Sequence, residues 1–261
     1  MTSRILAAYY RGPDHPMKLR LWRWYRTLAG YPRLTVPYGG GGWITVDERD
    51  WLQGRILAEG GYEREVWDAL SAFAAEDECV WDVGAHIGSV AVCALLDPRV
   101  QEVHAFEPDA RHSAALRINL ALNRGRFTQH LVALSDRAER RRLFIGPSSN
   151  TGLSSLAGGG AALEVECRTV DELVFRDGVT APTLLKIDVE GWEGRVLRGA
   201  RRLLSEQPPK AIVLECAAGK FGEIQEPGVA EHLERRGYRL AWIKRPSGVV
   251  EARENFLAVR Q

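Results

Sequence analysis

From residue 62 onward, apolar and polar positions alternate between two periods, one of strands and one of helices. Val66, Trp67, Leu70, Phe73 and Ala74 recur on one face of a helix. The strand Val80-Trp81-Asp82-Val83 then turns through Gly84 and Gly88 into the apolar run Val90 to Leu96. A second strand, Glu102 to Phe106, ends in Glu107, and Pro108-Asp109 opens a helix with Ala114, Ile118, Ala121 and Leu122 on one face. His130 to Leu134 reads as strand three, Thr183 to Val189 as strand four and Ala211 to Glu215 as strand five. A helix carrying Val196, Leu197, Ala200, Leu203 and Leu204 lies between the last two. A helix over about 228–236 stops at Gly237, and Tyr238 to Ile243 with Asn255 to Val259 close the sheet. Seven strands with intervening helices predict an α/β fold, a doubly wound Rossmann-like sheet.

Two stretches break the rhythm. Residues 137–170 hold two further strands, Arg142 to Ile145 and Leu163 to Cys167, around a polar loop, and read as a β-hairpin insertion. Residues 1–60 read as an N-terminal cap packed near a pocket mouth, ahead of a main domain over 61–261. In that cap Leu21, Tyr25 and Leu28 share helical spacing, Gly39 to Gly42 marks a turn, and Trp43 to Val46 a short strand.

Composition narrows the class. The 261 residues suffice for one α/β domain with an extension. With 35 basic and 34 acidic side chains the net charge is +1, so a dominant phosphate-neutralising surface is not expected. Cys79, Cys93, Cys167 and Cys216 form no C-x-x-C pair, which predicts buried free thiols and a cytoplasmic setting. No apolar run is long enough to span a membrane, and residues 1–10 are too short and polar for a secretory signal.

The turn after strand one is where such sheets bind nucleotides. A dinucleotide needs G-x-G-x-x-G, but His86 stands at the second glycine position. Asp82 precedes the turn, where it would repel phosphate and suit an ammonium or sulfonium. Glu107 is placed to take ribose hydroxyls. The pair favours S-adenosyl-L-methionine, against capping and solvation roles for the two acids.

Asp82 to Gly88, Phe106-Glu107-Pro108, Ala133 to Asp136 and Leu185 to Glu193 together resemble the motifs of the FkbM-family methyltransferases, over roughly residues 60–217. The resemblance implies a class I S-adenosylmethionine-dependent fold that O-methylates hydroxyls of sugars or secondary metabolites. It also implies that Tyr62 and Glu63 lie near the cofactor, and that Asn is usual where this chain has His86, a change expected to add pH sensitivity. The cofactor set is therefore Tyr62, Glu63, Asp82, Gly84, Ala85, His86, Gly88, Ser89, Glu107, Pro108, Ala133, Leu134, Ser135 and Asp188.

Alternation puts Lys186, Asp188 and Glu190 on one side of strand four. Lys186 is expected to be held by a carboxylate, with Asp82 and Glu215 as neighbours. Asp188 is the candidate for orienting the acceptor or removing its proton, with an ion-pair or capping role as the alternative. Glu215 would contact either the acceptor or Lys186, while Glu190 and Glu193 would favour the following helix start. Asn150, Thr151, Ser154 and Ser155 offer hydrogen bonds to a polyhydroxylated acceptor, or form a solvated loop. The six histidines show no metal-ligand spacing, so no metal is predicted. A small-molecule or glycan acceptor leads. Nucleic-acid methylation rests on Arg140-Arg141-Arg142 and Arg201-Arg202, and an NAD-dependent oxidoreductase would need the missing glycine. The basic aromatic helix at 18–29 is either a membrane-surface contact or a packed cap.

Overall fold

The computed structural model describes residues 8, 12, 17–30, 33–146, 154–157, 159–219, 222–244 and 252–261. Helix α1 (Lys18–Leu28) precedes a hairpin of β1 (Leu34–Tyr38) and β2 (Gly42–Val46), followed by α2 (Trp51–Glu59) and α3 (Arg64–Ser71). Next come β3 (Glu78–Val83), α4 (Ser89–Leu96), β4 (Val100–Phe106), α5 (Ala110–Ala121) and β5 (Arg126–His130). Strands β6 (Ala133–Leu134), β7 (Glu139–Phe144) and β8 (Ala162–Arg168) form a sheet of their own. The chain ends with α6 (Val170–Phe175), β9 (Leu184–Ile187), α7 (Glu193–Arg198), α8 (Leu203–Glu206), β10 (Ala211–Ala217), α9 (Val229–Glu234), β11 (Tyr238–Trp242) and β12 (Arg253–Arg260).

The central sheet has seven strands in the order β5-β4-β3-β9-β10-β12-β11, with β12 antiparallel to both its neighbours. The chain winds outward from β3 to β5, returns to β9 beside β3, and winds out the other way. The carboxyl ends of β3 and β9 therefore flank the switch point where such sheets bind ligands. All six residues of β3 are buried, as expected of a parallel strand covered on both faces. Val80, Val103, Ala105, Leu184 and Val213 pack on one face with the β1–β2 hairpin. Trp81, Val83, Phe106, Leu185, Ile187 and Leu214 pack on the other, with Val196, Leu197, Ala200, Leu203 and Leu204.

Several local expectations change. Strand three is Arg126–His130 rather than 130–134, because Phe127 pairs with Val103 at the sheet edge and His130 stacks on Phe106, with centroids 4.3 Å apart. Ala133 and Leu134 instead pair with Cys167 and Arg168, so the predicted hairpin is part of a three-stranded sheet. The helix after strand four is broken in two: the Asp171 carboxylate accepts the Arg202 and Leu203 N–H groups at 3.0 Å and starts α8 separately. Two short helices escaped the periodicity. Each carries a start signal: Asp50 accepts Gln53 N–H at 3.0 Å, and Thr169 with Glu172 forms a capping box.

The face expected for α5 is reversed. Ala114, Ile118, Ala121 and Leu122 are exposed, and Leu116 and Leu120 turn inward beside His112, Ser113 and Asn119. The polar residues are buried because they have remote work. Asn119 Oδ1 accepts Thr45 N–H at 2.7 Å, and its amide donates to the Thr45 and Ile87 carbonyls at 3.2 and 2.8 Å. One turn on, Asn123 accepts Trp43 N–H and donates to Trp43 carbonyl, both at 2.8 Å. Two amides spaced i, i+4 thus act as a strand edge for β2. Removing the first strands buried backbone groups that each cost about 1–3 kcal/mol. Asn119→Leu should destabilise by about 2–4 kcal/mol in urea unfolding; a midpoint within error of wild type would mean that apolar contacts alone hold the hairpin.

Candidate active site

At the switch point, Lys186 on β9 stands opposite Asp82 on β3 in the ladder. Both are buried. The ammonium lies 3.2 Å from Asp82 Oδ1 and 3.3 Å from Asp188 Oδ2, and donates to the Gly84 carbonyl at 2.9 Å. Burial works against the charge, but Asp188, Asp82 and Glu63 outweigh it and hold Lys186 well above the ordinary lysine range. The second Asp82 oxygen accepts Ala91 N–H at 3.0 Å, tying the strand end to α4. Gly84 is required here: its φ is +81°, and a Cβ would lie 1.7 Å from the Asp188 carbonyl oxygen.

Above this pair opens a cavity of about 380 Å³. Its wall includes Tyr62, Glu63, Gly84, Ala85, His86, Ser89, Glu107, Pro108, Ala133, Leu134, Lys186, Asp188, Glu215, Ser154 and Ser155, all singled out from the sequence. Asp82, Gly88 and Ser135 lie behind it. Gly88 (φ +92°) leaves room for Leu116, whose Cδ1 would be 2.7 Å from an added Cβ. Ser135 Oγ accepts Trp192 Nε1–H at 3.1 Å. Asn150 and Thr151 fall outside the described residues.

Glu107 is buried, and its two oxygens accept the His86 and Asp109 N–H groups at 2.9 and 2.8 Å. Burial still pushes its carboxyl up to about 8. Glu63 is likewise pushed up to about 8, by burial and then by the Asp188 charge. His86 has φ +50°, a left-handed conformation that Asn and His adopt more readily than most residues. Burial, then His112 with its ring centroid 4.3 Å away, pushes His86 down to about 3. It is therefore held neutral around pH 7.

A second cation organises the far wall. Arg253 at the start of β12 lies 2.8 Å from Glu193, 3.3 Å from Glu215, 3.7 Å from Glu190 and 3.8 Å from Glu226. Glu215 is therefore held by Arg253, and Asp188, Glu190 and Glu215 bring carboxylate oxygens within 4.8 Å of one another. Glu193 does not serve the following helix alone: it accepts Val189 N–H at 3.0 Å and Gly191 N–H at 3.0 Å, clamping the loop after β9. Ser155 donates to the Glu190 carbonyl at 2.6 Å, and Ser154 accepts Gly146 N–H at 3.1 Å. Trp51, Leu52, Arg55, His112 and Arg253 also line the cavity and were not anticipated. The Asp50 cap could have located α2, where Arg55 lies over the Trp51 and Tyr62 rings at 5.3 and 5.5 Å. Arg253 carries no local signal.

Glu63, Glu107, Glu190 and Glu193 all rise from 4.5 to about 8 on folding. Between those values the folded chain binds more protons than the unfolded one, so this part of the stability is complete below about 4.5 and lost as pH rises through 8. The melting temperature of the ligand-free protein should fall from about pH 7 to 8, above the range in which the depressed histidines His86 and His130 act in the opposite sense, with a shallower slope for Glu107→Gln. A melting temperature that climbs across this window would contradict the assignment.

The family described as the methyltransferase FkbM domain matches residues 82–240. The 31-O-demethyl-FK506 methyltransferase FkbM of Streptomyces tacrolimicus is 33% identical, with 47% of this chain and 59% of that protein covered. The hexuronic acid methyltransferase AglP of Haloferax volcanii is 30% identical, with 60% of this chain and 63% of that protein covered. The chain thus spans about three-fifths of the length of these curated relatives. A crystal structure of methyltransferase FkbM from Methylobacillus flagellatus KT aligns with a TM-score of 0.47 and 17% identity, over 94% of this chain and 71% of that one. With the family's motifs running through the strands that build the switch-point cavity, the chain belongs to the FkbM methyltransferase family.

Proposed function

We propose that this protein transfers a methyl group from S-adenosyl-L-methionine to a hydroxyl of a sugar, glycan or secondary metabolite. The observation that carries the reading is the carboxylate-lined cavity. Glu63, Glu107, Asp188, Glu190 and Glu215 all open onto it, and three of them are pushed up to about 8. A ligand bearing ammonium and sulfonium charges relieves that crowding, whereas a pyrophosphate adds to it. Glu107 would hold the ribose hydroxyls on oxygens already aimed by two backbone N–H groups. Tyr62, Glu63, Gly84 and Ala85 would flank the cationic end, and Pro108, Ala133 and Leu134 the adenine. When bound, the cofactor supplies an electrophilic methyl carbon.

The protein's own part is alignment and proton management. Alignment is worth about 7–11 kcal/mol in well-oriented systems, and a general base about 10²–10⁴-fold. Lys186, fixed from below by Asp82 and the Gly84 carbonyl, holds one Asp188 oxygen in the cavity wall. Asp188 would orient the acceptor hydroxyl and receive its proton, with Lys186 as a positioning residue. Ser154 and Ser155 lie where an acceptor would enter, and α2 within the 1–60 cap adds Trp51, Leu52 and Arg55 to the mouth. The names of the two relatives, one a demethylated FK506 enzyme and one a hexuronic acid enzyme, support a small-molecule or glycan acceptor. Nucleic acid is disfavoured by the near-neutral net charge and because three of the five arginines in the two clusters are paired with carboxylates: Arg140 with Glu164 at 2.8 Å, Arg141 with Glu139 at 2.9 Å and Arg202 with Glu206 at 2.9 Å.

Titration calorimetry should detect S-adenosylmethionine and not NAD; the reverse result would overturn the proposal. Asp188→Ala should bind the cofactor and lose about 10²–10⁴-fold in turnover of labelled methyl, while full turnover would remove Asp188 from the chemistry.

One observation bears on where the acceptor is met. Among the described residues no helix is long and apolar enough to cross a membrane. Yet Met17, Leu21, Trp24 and Leu28, at the spacing of one helix face, are exposed in a segment also containing Lys18, Arg20, Arg23 and Arg26. That pattern suits the surface of an anionic membrane, and the four buried free cysteines suit its cytoplasmic side. The protein should co-sediment with phosphatidylglycerol-containing vesicles and leave them in high salt, and Trp24→Ser with Leu28→Ser should weaken the association. Equal recovery with purely zwitterionic vesicles would count against it.

A further inference from the structure

Along β3 and β4, outside the residues that line the cavity, a second group of reactive side chains shares one sheet face. Cys79 pairs with Glu102 and Trp81 with His104 across the parallel ladder. Between the Glu78–Val100 and Cys79–Glu102 pairs the register skips Gln101. Such a bulge re-aims side chains, and this one brings Glu102 into the row of Cys79. The Cys79 sulfur, a Glu102 carboxylate oxygen and a His104 ring nitrogen consequently lie within 4.8 Å of one another.

His104 is 6% exposed. Its Nδ1 is engaged by His130 Nε2 at 3.0 Å. Its Nε2 is shut off from solvent, has no hydrogen-bond partner among the described residues, and faces the Glu102 carboxylate at 3.8 Å. A buried ring nitrogen left bare is unfavourable. A gap of this length between a nitrogen and a carboxylate, with a sulfur beside both, suits an ion between them. We infer that Cys79, Glu102 and His104 bind a divalent transition-metal ion, zinc by ligand type, with water completing the tetrahedron. His130 is the outer partner: by accepting from His104 Nδ1–H it leaves the Nε2 lone pair facing the ion. Arg126 reaches Glu102 at 3.4 Å from the exposed side. The Cys79 thiol contacts the Thr180 carbonyl at 3.6 Å, a contact it gives up on losing its proton to solvent. Binding of the ion displaces the thiol proton to solvent and therefore strengthens as pH rises. Bound there, the ion braces the two strands whose carboxyl ends form the cavity.

The full chain, stripped with a chelator and verified as folded by circular dichroism, is titrated with cobalt(II), and with zinc against a chromogenic chelator. One ion per chain is expected, with a sulfur-to-cobalt charge-transfer band. Cys79→Ser should lose the band. His104→Gln should weaken zinc binding at least about tenfold, and His130→Phe, which keeps a ring against Phe106, about 10–100-fold. Cys93, Cys167 and Cys216 remain in every variant. A band that survives Cys79→Ser would place the ion elsewhere and overturn the assignment. Failure of the folded wild type to take up either metal would do the same, and if Cys79→Ser does not fold, unchanged zinc affinity in His104→Gln decides against the site.

Discussion

A buried ammonium between two central strands sets the geometry on which the rest of this molecule depends. Lys186 meets Asp82 across the β3–β9 ladder, Asp188 just beyond the strand end, and the Gly84 carbonyl. Burying any one of these charges alone would be costly, and removing one partner would leave the others uncompensated. The cluster therefore holds together two strands from distant parts of the chain and fixes the floor of the cavity. The same approach leaves no space for a side chain at Gly84, where backbone meets backbone.

The cavity carries more negative charge than its own cations balance. Lys186 serves Asp82 and Asp188, while Arg253 is shared among Glu190, Glu193, Glu215 and Glu226. Glu63 and Glu107 are left to burial, which raises them. Burying these carboxyls without a matching cation makes their ionisation costly. The insertion is fastened to the same floor. Ser155 bonds the Glu190 carbonyl, and Trp192 sits between the Arg141 and Arg195 guanidiniums, 4.7 and 4.5 Å from its ring centroid. The loop after β9 thus joins the acid cluster to the three-stranded sheet.

Much of the fold was legible because its signals are local. Apolar runs identified the strands, and the Asp82–Gly88 turn and Glu107 marked the cavity, since backbone sterics and strand ends act over a few residues. Where the reading failed, the cause was a distant partner. The inner face of α5 is partly polar because Asn119 and Asn123 bond the edge of β2. Strand three shifted because β4 decides its register. The pairing of Asp82 with Lys186 was expected from the strand ends, whereas its bond to Ala91 N–H was not.

The sequence by itself determined the order of strands, the position of the switch-point turn, the family resemblance and most of the cavity wall. Only the tertiary structure decided which carboxylates share a cation, since Arg253 reaches Glu193 and Glu215 through the antiparallel pairing of β12 with β10. It alone brought Cys79 beside Glu102 and His104, through a bulge that no spacing in the chain announces. Local propensity is written in neighbouring residues, whereas the state of a buried charge depends on whatever the fold places within a few ångströms of it.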